Sequence, residues 1–146
     1  MMPRFFVLCL AFQAGLAWAQ GIQVHKPWSH ATSTGAKVGA SYLEIRNTGA
    51  QADRLLGAST AVAKRVEMHV TQHEGGVARM RQVQSFEIPA GGRVDLQPGG
   101  AHLMLVDIAR PLAKGERFAM RLRFERAGEV EVQVEVQDLG ARHPGH

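Results

Sequence analysis

At 146 residues the chain can form one domain with a buried core. Its formal charge of +4 comes from 17 Lys and Arg interspersed among 13 Asp and Glu. A nucleic-acid footprint needs a clustered basic face with aromatics to stack bases, and neither is present, so that partner class is excluded.

The chain opens "MMPRFFVLCLAFQAGLAWAQ". Arg4 supplies a positive n-region, Phe5 to Leu16 an apolar h-region, and Ala17-Trp18-Ala19 the small-x-small pattern of a secretory cleavage site. Residues 1–19 are therefore expected to be a signal peptide, and the mature chain to begin at Gln20 with a formal charge of +3. The apolar run is shorter than the roughly 20 residues of a spanning helix, and nothing later matches it, so no stable membrane span is expected after cleavage. A lipoprotein leader would carry a small residue before its cysteine, where this chain has Leu8 before Cys9. Cleavage removes the only cysteine, which leaves no disulfide, no thiolate metal site and no Cys nucleophile within the chain.

Period-two alternation dominates the mature sequence. Strands are expected at Ile22 to His25, Gly39 to Asn47, Arg54 to Ser59, Arg65 to Gln72, Val77 to Gln84, Arg93 to Leu96 and His102 to Ile108. Turn signals separate them: "NTG" at Asn47, "EGG" at Glu74, "PAGG" at Pro89, "PGG" at Pro98 and "AKG" at Ala113. "RFAMRLRF" turns Phe118, Met120, Leu122 and Phe124 inward, and "GEVEVQVEVQD" does the same with Val130, Val132, Val134 and Val136. "ERAGE", from Glu125 to Glu129, joins these two as a hairpin. Seven to nine short strands with no helical period predict an all-β single domain over 20–138, a β-sandwich or small barrel with Greek-key connections. The tail, 139–146, ends "GARHPGH"; it has little apolar content and is expected to be mobile.

Methionine is scarce and oddly placed. Of six, Met1 and Met2 lie in the leader, leaving Met68, Met80, Met104 and Met120. In "EMHVTQHEGGVARM" a two-residue loop at Glu74-Gly75 sets His69 directly opposite Met80, whereas a loop at Gly75-Gly76 makes Met80 diagonal to His69 on the same face. In "PGGAHLML", His102 and Met104 are two apart and project from one side of their strand. A lone Met is usually a gap-filler, but here two His/Met pairs can converge. Thioether sulfur is soft and selects Cu(I), while zinc favours thiolate, imidazole or carboxylate and calcium needs oxygen. A blue-copper electron carrier requires a Cys ligand, and there is none. No paired carboxylates, Ser/His/Asp grouping or phosphate-binding Gly loop points to an enzyme.

The spacing is His69, ten residues, Met80, twenty-one residues, His102, one residue, Met104, with Met68 beside the first His. This resembles the signature of the periplasmic copper chaperone family called PCuAC. The likeness extends through "GASYLEIRNTGAQADRLLGAST", "VEMHV" and "IPAGGRVDLQPGGAHLMLVDIARPLAKGERFAMRLRFERAGEVEVQV", in the same order. The resemblance implies a cupredoxin-like Greek-key β-sandwich in the periplasm, binding one Cu(I) through His69, Met80, His102 and Met104. It also implies delivery of copper toward the CuA centre of cytochrome c oxidase subunit II, together with a Sco-type thiol copper protein. A monomeric, non-enzymatic carrier is expected; a copper scavenging or tolerance protein without a dedicated acceptor needs the same site and stays open.

The other candidates read differently. Met68 faces away from His69 on its strand and Met120 alternates with Phe118 and Leu122, so both belong to the core. His73 sits at a hairpin end and is expected in solvent; His25 and His30 flank "KPWS" and look structural. His143 and His146 could make an auxiliary imidazole-only Cu(II) site, or form an inert end.

Overall fold

The structure, a computed structural model, describes residues 21–144; the leader and His146 lie outside the described residues. Ten strands follow in order: β1 (Ile22–His30), β2 (Val38–Asn47), β3 (Asp53–Thr60), β4 (Ala63–Glu74), β5 (Val77–Val83), β6 (Phe86–Ile88), β7 (Arg93–Leu96), β8 (His102–Ile108), β9 (Arg117–Phe124) and β10 (Gly128–Gln137). They form one hydrogen-bonded path, β5-β4-β8-β2-β1-β10-β9-β3-β6, with β7 paired to β2. All pairings are antiparallel except β1 with β10.

That path folds over on itself as a cupredoxin-like sandwich. One half holds β5, β4, β8, β2, β1 and β7, the other β10, β9, β3 and β6; the chain crosses between them after β2, β3, β5, β6 and β8, in the Greek-key manner. β3 lies close to β4 and β6 to β7 where the chain passes from one half to the other. Leu43, Ile45, Met68, Leu103 and Leu105 fill the core from the first half, and Leu55, Met120, Leu122, Phe124 and Val134 from the second. Met68 and Met120 are therefore core residues, as the alternation predicts.

Two elements depart from the sequence reading. β1 continues past His25 to His30, because the chain absorbs a bulge between His25 and Trp28, with Lys26 at φ 49°, and then resumes pairing with β2. β6 is a three-residue strand whose Phe86 and Ile88 are buried, too short to display a period. The β4–β5 hairpin closes on Gly75 and Gly76, both at positive φ, which selects the second of the two registers: Met80 lies opposite Thr71 and diagonal to His69. The tail runs on from β10: Ala141 closes a turn on the Asp138 carbonyl, and the Ala141 carbonyl accepts a hydrogen bond from His30 Nε2 at 2.6 Å.

The β9–β10 turn is held from β3. Buried Asp53 accepts the backbone N–H of Arg54 and Arg126 at 2.8 Å each on Oδ1, and that of Ala127 at 3.0 Å on Oδ2. Asp53→Ala would leave the turn's N–H groups without their acceptor and is expected to cost about 2–3 kcal/mol, read as a lower denaturation midpoint with an unchanged denaturant slope. Asp53→Asn, which keeps one acceptor oxygen, should lose less. A change within about 0.5 kcal/mol for Asp53→Ala would refute this anchoring role.

Candidate metal centre

β4 and β8 lie side by side, and their alternation builds the site. Met68 pairs with Leu103 and both point into the core, so their neighbours must point out: His69 pairs with His102, and Glu67 with Met104. The two imidazoles stack with ring centroids 5.6 Å apart and planes 19° from parallel. Met80 reaches the same face from β5, and Ala40 of β2 flanks Met104 on its other side. Met80, His102, Met104, Thr71, Ala40 and Tyr42 line one open cleft of about 420 Å³.

The two histidines are held by different partners. His102 is only 6% exposed, and its Nδ1 lies 3.1 Å from the Gly100 carbonyl. A carbonyl can only accept, so Nδ1 carries the hydrogen and Nε2 keeps its lone pair. Burial, first of all, pushes the His102 pKa down, with the neighbouring His69 acting the same way against the opposing Gly100 hydrogen bond, so the neutral ring is favoured. The turn that supplies this carbonyl is closed by Gly100 N–H on Gln97 O and by Gln97 N–H on Ala101 O, with Gly99 at φ 83°.

His69 meets a carboxylate instead. Its Nε2 lies 3.0 Å from Glu67 Oε2, while Arg65 Nε donates to Glu67 Oε1 at 3.1 Å. The His69 hydrogen bond, then that of Arg65, holds the Glu67 carboxyl below the usual carboxylate range. His69 Nδ1 is buried and has no hydrogen-bond partner among the described residues. A buried ring nitrogen without a partner is costly unless something else occupies it.

Exposure grades across the four expected donors. Met80 is 59% exposed, His69 and Met104 are half-buried and His102 is buried. Among the described residues no three His, Cys, Asp or Glu side chains are grouped to hold a metal, so the thioethers of Met80 and Met104 would have to complete any set built on His69 and His102. Such a set fits a soft ion rather than one that prefers oxygen.

The remaining histidines stand apart. His73 is exposed at the hairpin end, and His25 meets the Gln23 side chain at 3.0 Å. His30 lies between the Tyr42 hydroxyl and the Ala141 carbonyl and makes edge contacts with Trp28 and Tyr42. His143 lines a separate cleft with His25, Asp95 and Arg142, away from the His69–His102 pair. Sequence reasoning missed Glu67 and the Gly100 carbonyl. Each lies two residues before its histidine, and on β4 that spacing alone puts Glu67 on the face of His69.

A family model described as "Putative lipoprotein LpqE-like" matches residues 22–136. The "Putative lipoprotein Lxx21020" of Leifsonia xyli subsp. xyli is 33% identical over 129 residues, 88% of this chain and 76% of that protein. Among solved structures, the copper-bound PCuAC domain from PmoF2 is 30% identical with a TM-score of 0.70, covering 81% of this chain and 93% of that domain. Cu(I)-bound DR1885 from Deinococcus radiodurans is 31% identical with a TM-score of 0.63, covering 83% of each chain. With the fold, the match over 22–136 and these likenesses in agreement, the chain belongs to the LpqE-like family of PCuAC-type domains.

Proposed function

We propose that this protein is an extracytoplasmic Cu(I) carrier that binds one ion through His69, Met80, His102 and Met104. The observation that carries the reading is the stacked pair His69 and His102, with a partnerless buried nitrogen on one ring and two thioethers on the same face. Copper is the cargo, and the likeness to a copper-bound PCuAC domain and to Cu(I)-bound DR1885 supports its choice over other soft ions.

The donor set suits transfer. Thioethers carry no charge and leave a metal without taking up a proton, so an incoming thiolate or thioether can replace them one at a time. Met80, the most exposed donor, is the first to be exchanged; His102, buried and pinned by Gly100, is the last. The acceptor we propose, on the resemblance to the PCuAC family, is a Sco-type thiol protein and, through it, the CuA centre of cytochrome c oxidase subunit II. The protein acts as a monomer in the periplasm after cleavage at Ala19. Scavenging without a dedicated acceptor would use the same ligands, and a transfer assay with a thiol acceptor separates the two. His143 lies with His25 in its own cleft, so the tail is left out of this ligand set.

An anaerobic Cu(I) titration of the mature protein against a chromophoric chelator tests this. One tight equivalent that vanishes in the His102→Ala/Met104→Ala double variant is expected; absence of competition by the unmutated protein would refute the carrier reading.

Protons compete for imidazole lone pairs, so the affinity should hold constant from pH 8 down to about 6.5 and weaken below it. Because burial lowers the His102 pKa, its share of that loss comes below the ordinary imidazole range. An affinity unchanged at pH 5 would count against imidazole coordination.

A further inference from the structure

On the reading of His69 and His102 as copper ligands, we infer that Glu67 is a positioning residue that makes the site asymmetric, so that His69 presents Nδ1 to the ion and His102 presents Nε2. The two nitrogens of each ring cannot serve alike, because each histidine has one nitrogen already committed. At His102 the committed atom is Nδ1, which donates to the Gly100 carbonyl. At His69 it is Nε2, which lies 3.0 Å from Glu67 Oε2.

An ionised carboxylate accepts only, so the Glu67 contact places the hydrogen of neutral His69 on Nε2 and leaves the lone pair on Nδ1. That nitrogen is buried and has no partner among the described residues. Glu67 does not compete for the ion itself, because its second oxygen is taken by Arg65 Nε at 3.1 Å, and Arg65 also reaches toward Asp107 at 3.9 Å. The carboxylate is thereby fixed from behind. Its place opposite Met104 in the β4–β8 register puts its negative charge beside the proposed ligands, where it offsets the charge of the ion held by four neutral donors.

A carboxylate behind a ligating imidazole fixes the tautomer and ring orientation and raises ligand basicity, and losing it typically costs about 10- to 100-fold in metal affinity. Glu67→Gln keeps an oxygen that can accept from Nε2–H, so it should retain most of the binding. Glu67→Ala removes the acceptor and should weaken binding by about 10- to 100-fold. Its backbone amide spectrum should stay native-like, since the Glu67 side chain points out of the core.

The deciding measurement is nitrogen-detected NMR of the histidine rings in the mature protein, first without metal and then with Ag(I), a diamagnetic soft monovalent stand-in for Cu(I). The metal-free protein should show His69 protonated at Nε2 and His102 at Nδ1. Silver should then split the Nδ1 signal of His69 and the Nε2 signal of His102, and Glu67→Ala should lose the His69 tautomer bias. A His69 protonated at Nδ1, silver coupling at its Nε2, or Glu67→Ala binding as tightly as the unmutated protein would each overturn the assignment. Should the unmutated protein take neither Cu(I) nor Ag(I), the carrier reading fails, while the metal-free tautomer still decides whether Glu67 orients His69.

Discussion

Side chains on paired strands alternate between two faces, and for β4 and β8 one of those faces is the core. Met68 and Leu103 are buried opposite each other, and burying two such side chains is worth about 3–6 kcal/mol. A slip of one residue in either strand would push His69 or His102 into that interior and carry Met68 or Leu103 into water. The packing energy of the sandwich is therefore what aligns the two imidazoles. The site needs no disulfide or covalent staple, which fits a mature chain expected to have no cysteine.

The same frame sets how tightly each donor is held. His102 starts its strand directly after the Pro98 turn, where the Gly100 carbonyl holds one nitrogen and burial favours the neutral ring. Met80 sits on β5, an edge strand of the path whose residues are all exposed except Val83. Of the proposed donors, His102 is thus buried and pinned while Met80 lies on an accessible edge. On the proposed function, that gradient would give an incoming ligand a place to start and the departing ion a donor that lets go late. Glu67, held by Arg65, places a carboxylate against His69, so the proposed neutral donors would be backed by charge that never has to leave with the metal.

Much of this architecture is written in side-chain periodicity. β9 and β10 turn every second, apolar residue inward and leave outward residues that are polar save Ala119, and burial follows that alternation, with Val132 and Glu135 only partly buried. The two His/Met pairs were legible for the same reason, since strand spacing places His102 with Met104, and a two-residue loop in either register puts Met80 on the face of His69. What could not be read depends on geometry that no period records. β6 shows only Phe86 and Ile88, the far end of β1 hides behind a bulge and Pro27, and the hairpin register hung on which of two adjacent pairs formed the loop. Glu67 was within reach of the period-two rule, but a carboxylate beside an arginine reads first as an ordinary surface charge. The Gly100 carbonyl was beyond reach, because its direction is set by turn dihedrals.

X-ray absorption at the copper edge of the anaerobically loaded protein tests the central claim most directly, since sulfur and nitrogen scatterers separate by distance. Two thioether sulfurs and two imidazoles around a single Cu(I), with both sulfurs lost in Met80→Leu/Met104→Leu, are the predicted result. A first shell of light atoms without sulfur in the unmutated protein would contradict the account.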